Sequence, residues 1–146
     1  MDFRNLERTW IVAEIGVNHE GDFSIAEDLI RKAATSGADA VKFQTYTPEA
    51  YITAEQSERR EAVRGRMLEP DEFRRLADIA REVGVTFFST PLGLEDVAFL
   101  DEIAPIFKVA SGELTYLDLI RRIAQTGKPM IISTGMATLA ELDETV

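Results

Sequence analysis

Two lysines stand where the pattern of apolar residues predicts the interior of a β-strand. Lys42 lies within the apolar run 40–46, and Lys108 lies within the run 106–113. Successive side chains of a strand point to opposite faces, so the apolar neighbours of each lysine can pack on one face while the ammonium group points to the other. A lysine that reaches past an edge strand into solvent is the ordinary alternative. Two such positions together favour an inward-facing cationic site.

Each of the predicted strands ends in polar side chains. They are Glu14, Gln44, Thr45, Ser89, Thr90, Ser111, Glu113, Ser133 and Thr134. A single Ser or Thr at a strand-to-helix junction more often caps the next helix. Buried ammonium groups, however, need an anionic partner, and phosphate or carboxylate groups with added hydroxyl hydrogen bonds satisfy that need. The set therefore predicts a site for a small anion.

Two carboxylates and one histidine could add proton chemistry to this site. Glu14 and Glu113 could neutralise the lysines, or they could serve as general acid and base, and the residues themselves leave both roles open. His19 is the only histidine, and the chain has no cysteine. A histidine-rich metal site therefore cannot be assembled from these residues alone. His19 could supply one ligand or one proton-transfer group, or simply form a hydrogen bond to the backbone of its loop.

An alternation of strand and helix patterns must position these groups. Strands are predicted over residues 10–16, 40–46, 85–91, 106–113 and 129–135. A first helix is predicted from Ser24, where Glu27 would complete a capping box, to Gly37. Further helices are predicted over about 70–84, 94–103, 116–125 and 138–144. Residues 47–69 form a long polar connection in which a short helix fits, and such connections are often lids or binding loops.

Strands that alternate with helices predict a parallel sheet, because each connection must carry the chain back across the sheet. A doubly wound open sheet and a closed TIM-type (β/α)8 barrel both satisfy this pattern. No GxGxxG turn follows the first strand, so the dinucleotide fingerprint is missing. A barrel gathers the polar strand ends onto one rim, where barrel enzymes keep their sites. We therefore predict an α/β fold in which this chain supplies about five βα units of a barrel.

Composition limits the classes of function. The chain has 146 residues, the size of one domain, and its 45% hydrophobic content is typical of a globular protein. A net charge of −10 makes a nucleic-acid partner improbable. No apolar run is long enough to span a bilayer, and residues 1–8 are polar and irregular without a leader pattern, so a cytoplasmic protein is expected. Five strands cannot close a barrel, and their two open edges suggest self-association as a homo-oligomer.

Five sequence strings, in this order, resemble the sialic acid synthase family. They are AEIGVNHEG (13–21), GADAVKFQT (37–45), FSTP (88–91), FKVASGE (107–113) and GKPMIISTGM (127–136). The resemblance extends over nearly the whole chain. It implies a (β/α)8 barrel that condenses phosphoenolpyruvate with an N-acylhexosamine such as N-acetylmannosamine, forms a nine-carbon 2-keto acid and releases phosphate. It also implies a divalent metal, Mn²⁺ or Mg²⁺.

The resemblance also implies roles for individual residues. Those that match phosphoenolpyruvate ligands are Lys42, Thr90, Lys108, Ser111 and Ser133, with Gln44 beside them. Glu14 matches a carboxylate near the metal and the sugar, and Glu113 matches the carboxylate that handles protons.

The resemblance covers only the first part of the family's architecture. A complete barrel takes about 250 residues, so residues 1–146 correspond to its N-terminal part. The metal ligands, the later strands and an antifreeze-like domain are expected outside this chain, which alone is expected to be inactive. Two other readings remain open: a non-catalytic partial barrel that binds anions, and a Schiff-base aldolase-type barrel.

Overall fold

The computed structural model describes residues 8–146 and contains a parallel sheet with helices between its strands. The strands are β1 (Val12–Gly16), β2 (Ala40–Thr45), β3 (Thr86–Pro91), β4 (Phe107–Val109) and β5 (Met130–Ile132). The helices are α1 (Phe23–Thr35), α2 (Pro48–Tyr51), α3 (Ser57–Arg64), α4 (Pro70–Glu82), α5 (Leu94–Ile103), α6 (Leu117–Ala124) and α7 (Leu139–Thr145). The irregular start predicted for the first eight residues lies, except for the last of them, outside the described residues.

The five strands lie side by side in chain order, and all pairs are parallel. Each strand therefore joins the next through a crossover that carries one or more helices. This is the arrangement of a (β/α) barrel from its first strand to its fifth, and the prediction of a partial barrel is confirmed. The carboxyl ends of all five strands face the same side.

Helix α1 begins differently from the prediction. Its N-cap is Asp22, whose carboxylate accepts hydrogen bonds from the backbone N–H groups of Ser24 and Ile25. The predicted capping box of Ser24 with Glu27 is wrong. The helix begins after Asp22, whose carboxylate already accepts the hydrogen bonds of the first free N–H groups, and Glu27 forms an ion pair with Arg31 one turn later.

Two connections also differ from the sequence pattern. The strand predicted over 106–113 ends at Val109, and Ser111–Glu113 is a turn of 3₁₀ helix. The long connection after β2 contains two short helices, α2 and α3, rather than one. Gly21 allows the C-terminal end of α3 to approach the turn after β1: its φ is +83°, and an added Cβ would lie 2.5 Å from the carbonyl oxygen of Gly65, the residue after α3. The end of α3 therefore packs directly on the turn after β1.

The outer face of the sheet packs on the helices through aromatic side chains. Phe43 of β2 and Phe87 of β3 stack with ring centroids 5.4 Å apart, and Phe73 of α4 meets the Phe43 ring edge-on at 6.2 Å. A second apolar cluster joins Phe107 and Val109 to α5 and α6. These contacts fix the direction of every alternate residue, so the residues between them must point to the inner face.

An apolar cluster covers the inner face near the amino ends of β2 and β4. Ala40, Phe88, Ala104 and Ile106 form a small buried cluster there, with Trp10 and Val12 against it. Next along the strands, on the same inner face, come Lys42 in β2 and Lys108 in β4. The apolar cluster is thus a floor beneath the two ammonium groups.

Candidate functional site

The ammonium group of Lys42 is buried and has two side-chain partners. The register of β1 and β2 sets Glu14 opposite Lys42, and their Oε2 and Nζ atoms lie 2.9 Å apart. The Lys42 side chain is 6% exposed, whereas the Glu14 side chain is 61% exposed. Lys42 also donates a hydrogen bond of 3.2 Å to Thr90 Oγ1 of β3. Three neighbouring strands thus meet at one cation.

Lys108 has neutral partners instead. Its Nζ donates hydrogen bonds to Ser133 Oγ at 2.6 Å and to its neighbour's backbone carbonyl, Val109 O, at 2.8 Å. Ser133 directly follows β5, so this contact links the fourth and fifth strands. The Val109 carbonyl was not predicted as a partner; it also accepts the backbone hydrogen bond of Ser133 N–H at 3.0 Å, so it joins β4 to the residue after β5.

The charges of the site act on one another. Burial lowers the pKa of Lys108, and the nearby Lys42 ammonium lowers it further, while Glu14 and Glu113 oppose the shift. The two lysines are therefore close enough for their charges to repel. Such a pair of cations on one inner face is suited to a small ligand that carries two negative groups.

Glu113 and Ser111 lie in the 3₁₀ turn after β4. Burial raises the pKa of Glu113, and the Lys108 charge only partly offsets this. Its Oε2 is buried and has no hydrogen-bond partner among the described residues. Ser111 lies on the other side of the turn, next to Gly135, where an added Cβ would be 3.9 Å from Ser111 Oγ.

Gln44 lies on the same face of β2 as Lys42, two residues nearer the strand end, and opposite Thr90 in register. It also lines a cavity of about 300 Å³ beneath α3, together with Tyr46, Arg59 and Arg66. The Tyr46 hydroxyl donates to the Arg66 carbonyl at 3.4 Å, and burial raises its pKa. The sequence pattern did not single out these residues, although Tyr46 continues the alternation of Lys42 and Gln44.

Some polar strand-end residues point away from the site. Thr45 and Ser89 are buried on the outer face, where their hydroxyl oxygens are 2.7 Å apart. Each hydroxyl therefore satisfies the other, and neither joins the lysines. Their neighbours Gln44 and Thr90 occupy the inner face instead.

His19 is buried in the turn after β1, with its ring 5.9 Å from Phe43. Its Nδ1 accepts a hydrogen bond from the Gly21 backbone N–H at 3.1 Å. Burial lowers the pKa of His19, against the opposing effects of Glu72 and of the Gly16 backbone. Of the three roles that the sequence left open for His19, the structure shows the hydrogen bond to the loop backbone.

The metal implied by the family resemblance has no ligand set here. Across residues 8–146, no group of three His, Asp or Glu side chains could hold a metal ion. Glu14 and Glu113 lie in the site, but Glu14 is engaged by a lysine and His19 lies beneath the turn. The described residues thus do not fit a divalent ion by themselves.

In the same residues, no helix has the length and apolar character to cross a bilayer.

The fold and the site define a class: a parallel (β/α) barrel portion that presents two ammonium groups at the carboxyl ends of its strands. The model of the NeuB family matches residues 29–146. The chain belongs to the NeuB family.

Individual relatives agree with this. The chain is 39% identical over 153 residues to the N,N'-diacetyllegionaminic acid synthase of Campylobacter jejuni, covering 95% of this chain and 46% of the relative. It is 35% identical over 143 residues to the human N-acetylneuraminate-9-phosphate synthase, covering 89% of this chain and 40% of the relative. The chain therefore spans less than half the length of these curated relatives.

A solved structure has the same fold. The N-acetylneuraminic acid synthetase from Leptospira borgpetersenii superposes with a TM-score of 0.92 at 30% identity, covering 99% of this chain and 53% of the other. The five strands and their helices thus match the corresponding part of a sialic acid synthetase.

Proposed function

We propose that this chain carries the phosphoenolpyruvate-binding part of a sialic-acid-type synthase. The proposed reaction condenses phosphoenolpyruvate with N-acetylmannosamine, or a related N-acylhexosamine, to a nine-carbon 2-keto sugar acid plus phosphate. The observation that carries this proposal is the pair of inward ammonium groups: Lys42 contacts Glu14 and Thr90, and Lys108 contacts Ser133 and a backbone carbonyl. The family relatives are synthases of acids of this type, which supports the reaction class.

In the proposed reaction the two lysines hold the phosphate and carboxylate groups of phosphoenolpyruvate. Thr90, Ser111 and Ser133 supply hydroxyl hydrogen bonds to the same substrate. Cations that are already in place stabilise the negative charge of the transition state without reorganisation. The enol carbon attacks the sugar aldehyde, water adds to the resulting cationic carbon, and the tetrahedral intermediate expels phosphate.

Two carboxylates and one amide complete the proposed site. Glu113 is suited to hold and return a proton, because its raised pKa keeps it protonated at a higher pH than an exposed glutamate. Glu14 faces the solvent side of the site, where the sugar would enter, and Gln44 lies on the same face of β2. The Mn²⁺ or Mg²⁺ ion implied by the resemblance would need ligands from outside these residues, so we assign it no step.

The proposal includes the setting of the protein. We place the reaction in the cytoplasm, without a nucleic-acid or membrane partner, in keeping with the net charge of −10. The outer edges of β1 and β5 have no neighbouring strand within residues 8–146. For this chain alone we propose association into a homo-oligomer through such edges, which light scattering tests as a mass above 16.3 kDa.

The test of the function is phosphoenolpyruvate binding by titration calorimetry. Lys42→Met and Lys108→Met should each weaken binding by about tenfold or more, because each removes a charge that contacts the ligand. Lys32→Met is the matched control: it makes the same change at an exposed lysine of α1 that pairs with Asp28, and it should leave binding unchanged. Equal affinity in all three variants, or no binding by the parent chain, would overturn the proposal.

One observation favours a second function. A lysine with a lowered pKa beside another cation is typical of Schiff-base enzymes, and Lys108 has both features. Borohydride reduction in the presence of pyruvate separates the two functions. The synthase proposal expects no adduct by mass spectrometry. A reduced adduct on Lys108 would replace it with an aldolase-type reaction.

A further inference from the structure

The two ammonium groups of the site are neutralised in different ways. Lys42 contacts a carboxylate, that of Glu14, whereas Lys108 contacts a hydroxyl and a backbone carbonyl. An incoming dianion therefore meets one cation that already holds a negative partner and one that does not.

The Glu14–Lys42 pair is asymmetric in a way that permits exchange. Lys42 is enclosed by β1, β2 and β3, and cannot move out of the site without leaving its hydrogen bond to Thr90. Glu14 is mostly exposed, so its carboxylate can turn into water at little desolvation cost. Lys42 could not lose Glu14 without a substitute, because a buried, unpaired ammonium is costly.

We propose that Glu14 is a built-in counter-ion for Lys42, which the phosphate or carboxylate group of the substrate displaces and which returns as inorganic phosphate leaves. This inference rests on the proposed function and deepens it. Before the substrate binds, Glu14 is the negative partner of Lys42. In the occupied site the released carboxylate is free to face the second substrate. During product release it competes with phosphate for the same ammonium group.

The exchange predicts that the loss of a carboxylate from the site raises its affinity for the ligand. If Glu14 competes with the ligand, Glu14→Gln should bind both inorganic phosphate and phosphoenolpyruvate more tightly than the parent chain, by roughly three- to tenfold at low ionic strength. The gain should shrink as salt is added, because salt screens the pair in the parent chain. A carboxylate that only supported the site, or that bound the ligand directly, would leave affinity unchanged or reduce it when replaced.

Two control variants separate exchange from a general loss of negative charge. Glu82→Gln removes one charge at an exposed position at the far end of α4, and should leave both affinities unchanged. Glu113→Gln removes a charge that acts on Lys108 but makes no ion pair with Lys42, and should raise affinity less than Glu14→Gln does.

The decisive measurement is a double-mutant cycle with Lys42→Met. If Glu14 acts through Lys42, the effect of Glu14→Gln on phosphate affinity should disappear in the Lys42→Met background. Glu14→Asp, which keeps the charge but shortens the side chain, should give an intermediate affinity and serves if the glutamine variant unfolds. An unchanged or weaker affinity in Glu14→Gln, or an effect that persists without Lys42, would overturn the exchange. Loss of binding in Lys42→Met and Lys108→Met would still support the proposed function on its own.

Discussion

The two faces of strands β2 and β3 have opposite chemistry over the same few residues. On the outer face Phe43 and Phe87 stack and pack on α4. On the inner face, Lys42 is one residue from Phe43, Thr90 is three residues from Phe87, and the two form a hydrogen bond beside a small apolar cluster. The outer side chains form a close-packed aromatic cluster that excludes water, whereas the inner side chains present a charged group and a hydroxyl that can bind a ligand. Stability and binding are thereby assigned to alternate residues of the same strands.

The division between an aromatic outer face and a polar inner face explains how the sheet accommodates a buried lysine. The outer aromatic cluster holds the backbone in place, and the parallel register then sets Glu14 and Thr90 within reach of Lys42. A substitution on the outer face should therefore reduce the free energy of unfolding, while a substitution on the inner face should change ligand affinity. Measurements of unfolding and of ligand affinity on variants of the two faces test that distinction.

Phe43→Ala should lower the free energy of unfolding by about 3–5 kcal/mol, because it opens a cavity between two other aromatic rings. Urea denaturation measures the change. Leu139→Ala, at a side chain of α7 that is 82% exposed, is the control and should stay within about 0.5 kcal/mol. A Phe43→Ala protein as stable as the parent would show that the outer face does not hold the sheet.

As the pH rises, phosphoenolpyruvate affinity should begin to fall at a lower pH than it would if Lys108 had the pKa of an ordinary lysine. The pKa of Lys108 is lowered from its usual 10.5, so raising the pH through that pKa removes a cation, and affinity should drop about tenfold per further pH unit. Calorimetry between pH 7 and 10 measures this. Lys108→Arg keeps its charge over the whole range and should lose this decline. Parallel pH profiles for the two proteins would contradict the prediction.

Valine substitutions of two threonines on opposite faces should differ in effect: one should lower stability and the other should lower ligand affinity. Thr45→Val leaves the Ser89 hydroxyl buried without its partner, so it should cost about 1–2 kcal/mol of stability and leave phosphoenolpyruvate affinity unchanged. Thr90→Val removes the hydroxyl beside Lys42 and should weaken phosphoenolpyruvate binding about three- to tenfold, with a smaller change in stability. Weakened phosphoenolpyruvate binding by Thr45→Val, or unchanged binding by Thr90→Val, would contradict the assignment of binding to the inner face.

The smallest effect concerns His19, which packs against Phe43 on the outer face. Because burial lowers its pKa in the folded state, the unfolded chain binds the proton more readily. The contribution of His19 to stability is therefore present above about pH 6.5 and is lost as the pH falls below that value. His19→Gln should remove about 1 kcal/mol or less of this pH dependence between pH 8 and pH 5, measured by urea denaturation. Identical slopes for the two proteins would contradict it.

Much of the fold was predictable because alternation and helical spacing are local properties of the chain. Helix α5 was predicted with its observed bounds, and three of the five strands were placed with small errors at their ends. The strand predicted over 129–135 was too long, because β5 ends at Ile132. The strand predicted over 106–113 was too long, since Ser111–Glu113 turns into 3₁₀ helix once β4 ends. The start of α1 was wrong because Ser24 and Asp22 both fit the cap pattern, and only the path of the turn after β1 decides between them.

The candidate site was predicted in its residue types but not in its pairings. The inward direction of Lys42 and Lys108 follows from the apolar residues beside them. Which acid contacts which lysine did not follow. The outward direction of Thr45 and Ser89 was available from the same alternation, because each lies two residues after an outward phenylalanine, but their grouping with the other polar strand ends hid it. The cavity of Gln44, Tyr46 and Arg66 also depends on where α3 packs, which no local pattern specifies.

The amino-acid sequence alone is enough to predict the parallel alternation of strands and helices, the family, and two lysines on the inner face of the sheet. The alternation and the direction of the lysines depend on neighbours one to four residues apart. The contact of Glu14 with Lys42, and those of Lys108 with Ser133 and a backbone carbonyl, became visible in the folded chain. They depend on register, because a shift of one residue between adjacent strands turns a side chain to the other face, and register is set by packing across the whole sheet.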